Sequence, residues 1–270
     1  MKLVMNIMSK QARPNVLSIA GFDPSAGAGI LADIKTFEYC DTYGMGVVSA
    51  LTYQNDISFE KAEWLGLSQM IAQIEILQKR FQFEYIKIGL IENLEVLLEL
   101  ITYLKTIHNF QLITPKIIWD PILKASAGFE FHNNVNQKLL ETVCSELFLI
   151  TPNIPESLQL GTYNDAQKNA KQLSRFCNVY LKGGHSEEKK GTDFLFTMDG
   201  REFLFPSEIS TVFPKHGSGC VLSAAITANL SKGMSLETAC SKAKKYAADF
   251  LLSNDSLLGF HSNNTFLKHE

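Results

Sequence analysis

Several features that would assign this 270-residue chain to a particular class of protein are missing from it. No apolar run approaches the roughly 18 to 20 residues that span a bilayer. The five cysteines are scattered and form no C-x-x-C pair, which argues against a disulfide framework and against a zinc site. A formal net charge of −3 gives no overall attraction to nucleic acid or acidic membranes. These absences favour a globular protein that acts on a small molecule.

Two further absences concern targeting and phosphate binding. Residues 1–12 contain only a short, broken apolar run with no signal-peptide cleavage site, so we expect a cytoplasmic protein. The P-loop pattern G-x-x-x-x-G-K-[ST] is absent too. Phosphoryl transfer would therefore need anion sites of another kind.

The sequence does contain a regular alternation of strand and helix patterns. The apolar run at 16–20 indicates a strand, and Ile30, Ile34 and Phe37 follow it at helical spacing. This alternation predicts an α/β fold in three layers, with a mostly parallel central sheet covered by helices on both sides. Further strands are predicted at about 46–53, 85–88, 116–119, 147–150 and 179–182, and helices at about 67–80, 94–107, 134–144, 168–175, 220–232 and 236–252.

The alternation changes near residue 194. Two apolar segments, 194–198 and 202–205, flank Asp199 and Gly200, a turn pair that predicts a small antiparallel hairpin flap at a sheet edge or over a site. No repeat, low-complexity tract or shift in composition divides the chain. We therefore expect one domain over residues 1–270, with a core at about 15–252 and a polar tail at 253–270.

The segment from Lys215 to Cys220 carries the most informative pattern. Gly217 and Gly219 flank Ser218 at a predicted helix start, where free N–H groups and the helix dipole favour an anion such as phosphate. The same field would lower the pKa of the Cys220 thiol and favour its thiolate. The alternative is a glycine-rich turn before an ordinary packed helix with a structural cysteine.

Ligands of parallel α/β sheets bind beyond the carboxyl ends of the strands, so the loops there are the expected place for site residues. Residues 27–32 match the dinucleotide-binding pattern formally, but the loop from Gly21 is too long for its tight turn. This loop is better suited to close backbone approach to a ligand, with Asp23 as a hydrogen-bond acceptor. Alternatively, Asp23 or Ser25 caps the following helix.

Polar residues also follow two other predicted strands. Asp120, Asn153 and Glu156 could offer carboxylate and amide oxygens to hydrated Mg²⁺, which takes only one or two carboxylates from a protein. A turn at Asp120 and a helix cap at Asn153 and Glu156 are the alternatives.

A lysine stands at the end of one more predicted strand. Lys182 is followed by Gly183 and Gly184, and a lysine beside exposed amides suits phosphate oxygens. A solvated surface lysine is the alternative. His185 and His216 lie near glycine turns, where histidines are commonly structural, so neither is assigned to catalysis.

Seven segments with these motifs occur in one order along the chain: 18–30, 51–55, 87–90, 119–121, 153–156, 182–185 and 216–220. Together they resemble the hydroxymethylpyrimidine/phosphomethylpyrimidine kinases of thiamine biosynthesis, within the ribokinase superfamily, over about residues 15–252. The resemblance implies a ribokinase-like fold and the use of ATP and Mg²⁺. It implies phosphorylation of 4-amino-5-hydroxymethyl-2-methylpyrimidine and then of its monophosphate. We also expect a homo-oligomer, most simply a dimer, with no nucleic-acid or membrane partner.

The resemblance also implies a role for each motif residue, and Cys220 would either act as the base toward the attacking oxygen or only position the substrate. Phe22 and Leu90 depart from the family's usual residues and would reshape the ring pocket. The implied roles are Gly21, Asp23, Gln54 and Leu90 for the pyrimidine, Lys182, Gly183 and Gly184 for the nucleotide, Asp120, Asn153 and Glu156 for Mg²⁺ through water, and Gly217, Ser218 and Gly219 for an anion hole beside Cys220.

Other functions are compatible with the same residues. A kinase of pyridoxal, pyridoxine or pyridoxamine would offer a similar ring with a hydroxymethyl group to the same base. A cysteine-dependent acyl transferase would use Cys220 and His216 but would leave Glu156 and Lys182 without roles. A ligand sensor that kept the fold without catalysis is the third alternative.

Overall fold

The structure is a computed structural model, and it describes residues 13–106, 114–123, 135–184, 191–207 and 212–262. The strands are β1 (Asn15–Phe22), β2 (Tyr43–Gln54), β3 (Phe59–Trp64), β4 (Tyr85–Ile88), β5 (Lys116–Trp119), β6 (Leu149–Ile150), β7 (Asn178–Leu181), β8 (Asp193–Phe196) and β9 (Glu202–Phe205). The helices are α1 (Gly29–Tyr39), α2 (Leu67–Gln78), α3 (Leu94–Thr106), α4 (Gln137–Ser145), α5 (Ile154–Leu160), α6 (Ala166–Leu173), α7 (Ser218–Ser231) and α8 (Leu236–Leu251).

The strands form one nine-stranded sheet in the order β3-β2-β1-β4-β5-β6-β7-β8-β9. The six strands from β2 to β7 in this order are parallel, whereas β3, β8 and β9 run antiparallel to their neighbours. Parallel strands need crossover connections, and α-helices supply them here. The carboxyl ends of the parallel strands consequently meet along one edge of the sheet.

Helices cover both faces of this sheet. One apolar core lies between the sheet and α2, α3, α4 and α6, and it includes the fully buried Phe83 and Trp119. The second core lies under α1, α7 and α8, and it includes Tyr180 and Phe250. Both faces of the central strands are thus buried, which explains why these strands read as short, continuous apolar runs. The predicted α/β fold in three layers is confirmed.

The structure adds one strand that the pattern analysis missed and one short helix whose start it offered only as an alternative. Strand β3 is half polar and has no clean alternation, but it pairs with β2 along the sheet edge. Helix α5 has only seven residues and begins at a proline-containing segment. The predicted hairpin is present as β8 and β9, and it extends the other edge of the sheet.

The first part of the predicted polar tail packs against the body of the protein. The Lys215 ammonium donates hydrogen bonds to the carbonyl oxygens of Asn254 (2.6 Å) and Ser256 (2.7 Å), and the His216 N–H donates to Leu257 O (2.9 Å). These contacts fix the loop before α7 against the segment that follows α8. Among the described residues, no helix has the length and apolar character needed to cross a membrane.

Candidate active site

A cleft of about 1720 Å³ lies over the carboxyl ends of the parallel strands and is bordered by α7 and α8. The motif loops converge on it, as the position of the strand ends predicts. Of the residues predicted for the site, only Asp23 and Gly183 do not line it. Those that do are Gly21, Gln54, Leu90, Asp120, Asn153, Glu156, Lys182, Gly184, Gly217, Ser218, Gly219 and Cys220.

Helix α7 begins in the wall of the cleft. Its N-cap is Gly217, whose φ of +72° lies in the left-handed region, and a Cβ there would stand 2.1 Å from Gly27 O. Only glycine fits this position, for both reasons. The first intrahelical bond runs from the Val221 N–H to Gly217 O (3.0 Å). The preceding N–H groups, of Ser218, Gly219 and Cys220, therefore have no partner within the helix.

Cys220 lies in the first turn of α7, lines the cleft and is only 6% exposed. The Gly29 N–H donates a hydrogen bond to its sulfur. Burial raises the pKa of the thiol to about 12, although the nearby Lys87 ammonium and the Gly29 N–H act in the opposite direction. The expectation of a lowered pKa for Cys220 is therefore wrong: loss of water outweighs the effects of the Lys87 ammonium and the Gly29 N–H.

Asp23 organises the loop before α1 from the inside. Its carboxylate is fully buried and accepts hydrogen bonds from the N–H groups of Ser25 (2.9 Å), Gly27 (3.1 Å) and Ala28 (2.8 Å), and it also contacts His216 Nε2 (2.9 Å). Burial raises the pKa of Asp23, but the bonds from His216 and Ser25 more than offset it, and the net shift is downward. Asp23 therefore joins the loop to the start of α7 and does not face the cleft.

A buried ionic network forms the floor of the cleft. The Lys182 ammonium lies 2.7 Å from Asp120 Oδ1 and 3.7 Å from Glu156 Oε2. Thr151 Oγ1 donates to Asp120 Oδ1 (3.1 Å), and Ser223 Oγ donates to Asp120 Oδ2 (2.9 Å). Burial opposes both charges of the close pair, yet their attraction lowers the pKa of Asp120 and raises the pKa of Lys182. Lys182 is thus not the solvated lysine of the alternative interpretation.

The cost of burying the Glu156 carboxylate is less well offset by neighbouring groups than that of Asp120. It forms a capping box with Asn153: the Glu156 N–H donates to Asn153 Oδ1 (2.8 Å), and the Asn153 N–H donates to Glu156 Oε2 (2.7 Å). Burial raises the pKa of Glu156 to about 7, because the more distant Lys182 ammonium and the Asn153 N–H offset this effect only in part. The helix cap that the sequence left open as an alternative is present here, with both side chains lining the cleft.

Mg²⁺ is the metal ion that the resemblance implies for this region of the cleft. Among the described residues, no group of three or more His, Cys, Asp or Glu side chains is placed to enclose a metal. Mg²⁺ does not need such an enclosure, since it usually keeps several waters and takes one or two carboxylates together with substrate phosphates. Glu156 fits that mode: it lines the cleft, and the Asn153 N–H binds only Oε2 of its two carboxylate oxygens.

One part of the cleft, lined by Thr52, Gln54 and Leu90, lies at the end of β2. Gln54 Nε2 donates to Thr52 Oγ1 (2.8 Å), and Thr52 Oγ1 donates to Phe22 O (2.7 Å), so the Gln54 amide is held in one orientation. Opposite, Leu90 packs close to Gly21, where a Cβ would lie 3.0 Å from Leu90 Cδ2. This part of the cleft therefore has an apolar wall and one oriented amide.

The two predicted nucleotide glycines differ from each other. The Gly183 N–H donates to Asp193 Oδ1 (2.7 Å), and a Cβ at Gly183 would lie 1.6 Å from Thr192 O. Gly183 is thus a packing position of the β7–β8 connection, whereas Gly184 lines the cleft. His185 lies outside the described residues.

Some residues of this region were not predicted from the sequence. Phe59 of β3 and Lys242 and Lys245 of α8 line the cleft. Lys87 and Asp33 form a fully buried ion pair beside it. The signal that could have found the pair is a lysine inside the otherwise apolar segment 85–88.

Comparison with known proteins agrees with this geometry. The family model of phosphomethylpyrimidine kinase matches residues 23–263. The chain belongs to the phosphomethylpyrimidine kinase family. The implied identity as a kinase of this family is confirmed, and with it the ribokinase-like fold.

Individual relatives are similar to this chain over most of their length. The hydroxymethylpyrimidine/phosphomethylpyrimidine kinase of Staphylococcus aureus (strain MRSA252) is 35% identical over 240 residues, which are 85% of each chain. The solved phosphomethylpyrimidine kinase of Clostridium difficile 630 gives a TM-score of 0.70 at 29% identity and covers 87% of this chain and 98% of its own. The pyridoxal kinase of Staphylococcus aureus in complex with ADP gives 0.75 at 26% identity, over 91% and 92% of the two chains.

Proposed function

We propose that this kinase transfers the γ-phosphoryl group of ATP to the hydroxymethyl oxygen of 4-amino-5-hydroxymethyl-2-methylpyrimidine, and then phosphorylates the monophosphate to the diphosphate, for thiamine biosynthesis. One observation carries the proposal: the start of α7, with Cys220 in its first turn, borders the same cleft as the oriented amide of Gln54. An anion site and a ring-reading side chain therefore face a shared space.

The anion hole is assigned to Gly217, Ser218 and Gly219. The N–H groups of the first turn and the positive end of the α7 dipole favour negative charge at this point. The Lys182 ammonium adds to this field, since a Cβ at Gly219 would lie only 3.3 Å from Nζ. Phosphoryl transfer needs chiefly alignment and charge neutralisation, and these fixed groups supply both.

Cys220 is assigned to the acceptor side of the transferred group. In the proposed step its thiolate takes the proton of the substrate hydroxyl, whose oxygen forms a bond to the γ-phosphorus. The bond from that phosphorus to the β–γ bridging oxygen breaks, and its electron pair leaves with ADP. Because burial raises the pKa of Cys220 to about 12, the thiolate is a scarce species in the free enzyme. This makes the base role directly testable by pH.

Gln54 is assigned to the aminopyrimidine edge. Its Nε2 spends one N–H on Thr52, which leaves the second N–H and the carbonyl oxygen for a ligand. The 4-amino group is a donor and the adjacent ring nitrogen is an acceptor, so the edge pairs with an amide through two opposed hydrogen bonds. Leu90 and the Gly21 backbone would contact the apolar ring face.

When bound, Mg²⁺ neutralises charge on the nucleotide phosphates. Glu156 would hold it through water, with Asp120 and Asn153 around it. Asp120 is already bonded to Lys182, Thr151 and Ser223, so its contribution is to keep Lys182 charged and in place.

A vitamin B6 kinase is the second candidate, and the close structural match to a pyridoxal kinase favours it. Its ring lacks the amino group next to a ring nitrogen that the Gln54 amide would pair with. Comparing kcat/KM on hydroxymethylpyrimidine and on pyridoxal decides between the two, because specificity is a ratio of transition-state stabilisations.

A homodimer is part of the proposal. Leu51 and Tyr53 of β2 are 43% and 42% exposed, and Ile57 in the following turn is 74% exposed. Neighbouring apolar side chains on one surface are typical of a protein interface. Light scattering after gel filtration should give a molar mass of twice the chain mass for the wild type. The Leu51→Asp variant should give the mass of a single chain.

The catalytic proposal is tested with purified protein, Mg-ATP and hydroxymethylpyrimidine, with mass spectrometry of the products. Both the monophosphate and the diphosphate are expected. Gln54→Leu should raise KM for the pyrimidine tenfold or more with KM for ATP unchanged, since it leaves the donor and acceptor of the ring edge unpaired. A wild-type protein that phosphorylates neither pyrimidine would refute the proposal.

A further inference from the structure

Lys215 is a buried lysine of the cleft wall that no step above uses. It is only 7% exposed, and its ammonium donates hydrogen bonds to the carbonyl oxygens of Asn254 (2.6 Å) and Ser256 (2.7 Å). The ammonium also lies over the ring of Phe213, with Nζ 5.4 Å from the ring centroid. Hydrogen bonds from a charged donor are short and strong. The ammonium is therefore firmly held, and each of these contacts is to a neutral group.

This arrangement differs from that of Lys182 at the floor of the same cleft. Lys182 pairs with Asp120, whereas Lys215 forms no ion pair with any carboxylate that the structure describes. Burial lowers the pKa of Lys215, and the nearby Asp255 carboxylate offsets this only in part. Burying a charge without a close opposite charge is costly, and an apolar side chain of similar length avoids this cost. Stability alone therefore does not explain a lysine at this position.

The oxygens that bind Lys215 belong to the segment 253–258, which follows α8. The Asn254 side chain folds this segment into a compact loop: its Oδ1 accepts from the Ser256 N–H (2.9 Å), and its Nδ2 donates to Leu258 O (2.9 Å). Because the loop is fixed by its own side chain, its carbonyl oxygens have set positions. A cation bound to them is fixed as well.

The same segment contacts the start of α7 and the loop before α1. The His216 N–H donates to Leu257 O (2.9 Å), directly before the N-cap residue Gly217. A Cβ at Gly27 would lie 2.7 Å from Leu258 Cδ2, so this leucine packs closely against the loop before α1. The loop before α7 is thus bonded to the segment 253–258 at two consecutive residues, next to the place where the proposed anion hole begins.

We propose that Lys215 is a positioning residue of the kinase: its buried ammonium fixes the loop before α7 to the segment 253–258, and this aligns the N–H groups of residues 217–219 with the γ-phosphate of ATP. The inference rests on the proposed anion hole. Backbone donors stabilise a developing charge only if they are held in place beforehand, and a misplacement of about 1 Å can cost roughly a hundredfold in rate. Lys215 acts through the backbone that it holds and not by contact with a substrate.

The test compares two nucleotides that differ in the γ-phosphate. Lys215→Met keeps the length of the side chain and removes the charge and both hydrogen bonds. Binding of Mg-ADP and of Mg-AMP-PCP, a non-hydrolysable ATP analogue, is measured by calorimetry without pyrimidine. The ratio of the two Kd values reports the contact with the γ-phosphate. Lys232→Met is the matched control, because the Lys232 ammonium also donates to a main-chain oxygen, that of Cys40 (2.7 Å), but at the far end of α7.

In Lys215→Met the preference for AMP-PCP over ADP should fall about tenfold or more, and kcat should fall with it. The Kd of ADP and KM for the pyrimidine should stay unchanged, and the Lys232→Met protein should match the wild type. A purely structural role would lower the Tm or weaken both nucleotides alike without changing their ratio. A folded Lys215→Met protein with the wild-type ratio overturns the proposal, whatever its kcat, and so does a wild type with no preference for AMP-PCP.

A second variant covers the case in which Lys215→Met does not fold. Asn254→Ala leaves Lys215 in place but removes the side chain that fixes the loop of acceptors. The same loss of preference for AMP-PCP is expected, and an unchanged ratio overturns the proposal equally. The binding ratio needs no pyrimidine, so it remains decisive if the wild-type protein fails to phosphorylate that substrate. Such a failure would refute the proposed function separately.

Discussion

The pH dependence of turnover distinguishes a base role of Cys220 from a purely positioning one. Burial raises the pKa of its thiol to about 12. At pH 8 the thiolate would therefore be about one molecule in ten thousand, and this fraction grows tenfold with each pH unit. If the thiolate takes the hydroxyl proton, kcat/KM must rise by about thirtyfold between pH 8 and pH 9.5.

This pH range is chosen with Glu156 in mind. The pKa of Glu156 is raised to about 7 by burial, so its ionisation is largely complete at pH 8 and contributes little above it. The assay is the initial rate of product formation at limiting pyrimidine and saturating Mg-ATP. Cys220→Ser places a hydroxyl that does not ionise in this range, so its profile should be flat and its activity low.

The control is Cys40→Ser. Burial also raises the pKa of the Cys40 thiol, to about 11, but this residue does not line the cleft. Its variant should keep the wild-type slope. A flat wild-type profile, or the same slope in Cys220→Ser, would refute the base assignment and leave Cys220 a positioning role.

Two further predictions concern stability and the helix start. The raised pKa of Glu156, about 7 against an ordinary 4.5, contributes stability that is complete below pH 4.5 and is lost as the pH rises through 7. Between pH 5 and pH 8 the wild type should therefore lose about 2.5 kcal/mol of unfolding free energy relative to Glu156→Gln in urea denaturation, and parallel curves would contradict the assigned burial effect. Gly217→Ala should lower kcat at least tenfold and reduce the Tm, because a Cβ would meet Gly27 O at 2.1 Å. Gly233 also has a positive φ, but a Cβ there would meet open space. Gly233→Ala should therefore lower the unfolding free energy by only about 1 kcal/mol and leave kcat unchanged. Equal losses of kcat in both variants would show that backbone strain alone, and not the α7 start, is responsible.

Much of the fold could be predicted because its central strands are buried on both faces. Strands β4 and β5 were predicted with the bounds that the structure shows, since their apolar runs end sharply. Strand β3 could not be predicted, because Glu60, Lys61 and Glu63 give it the look of a loop. Its pairing with β2 is a tertiary property that no local pattern in the segment carries.

The same limit applies to the site. The parallel topology predicted that the loops would converge on one site. It did not predict which side chains would bond to each other there. The pair of Lys87 and Asp33 joins positions 54 apart, and that of His216 and Asp23 joins positions 193 apart. The direction of the Cys220 pKa was missed for a related reason: a helix start can be read locally, whereas the depth at which it is buried cannot.

The loop before α1 and the start of α7 behave as one structural unit, and this explains the residues that they use. His216 contacts Asp23, Gly217 leaves no room for a side chain against Gly27 O, and the N–H of Gly29, the first residue of α1, bonds to the Cys220 sulfur. The pyrimidine pocket and the anion hole that we propose are therefore joined through backbone and short side chains. A substrate hydroxyl fixed by one would be aligned with a phosphate held by the other, without long side chains that must first be ordered. On this argument Asp23 serves the reaction by holding the two halves together, and it needs no contact with the substrate to do so.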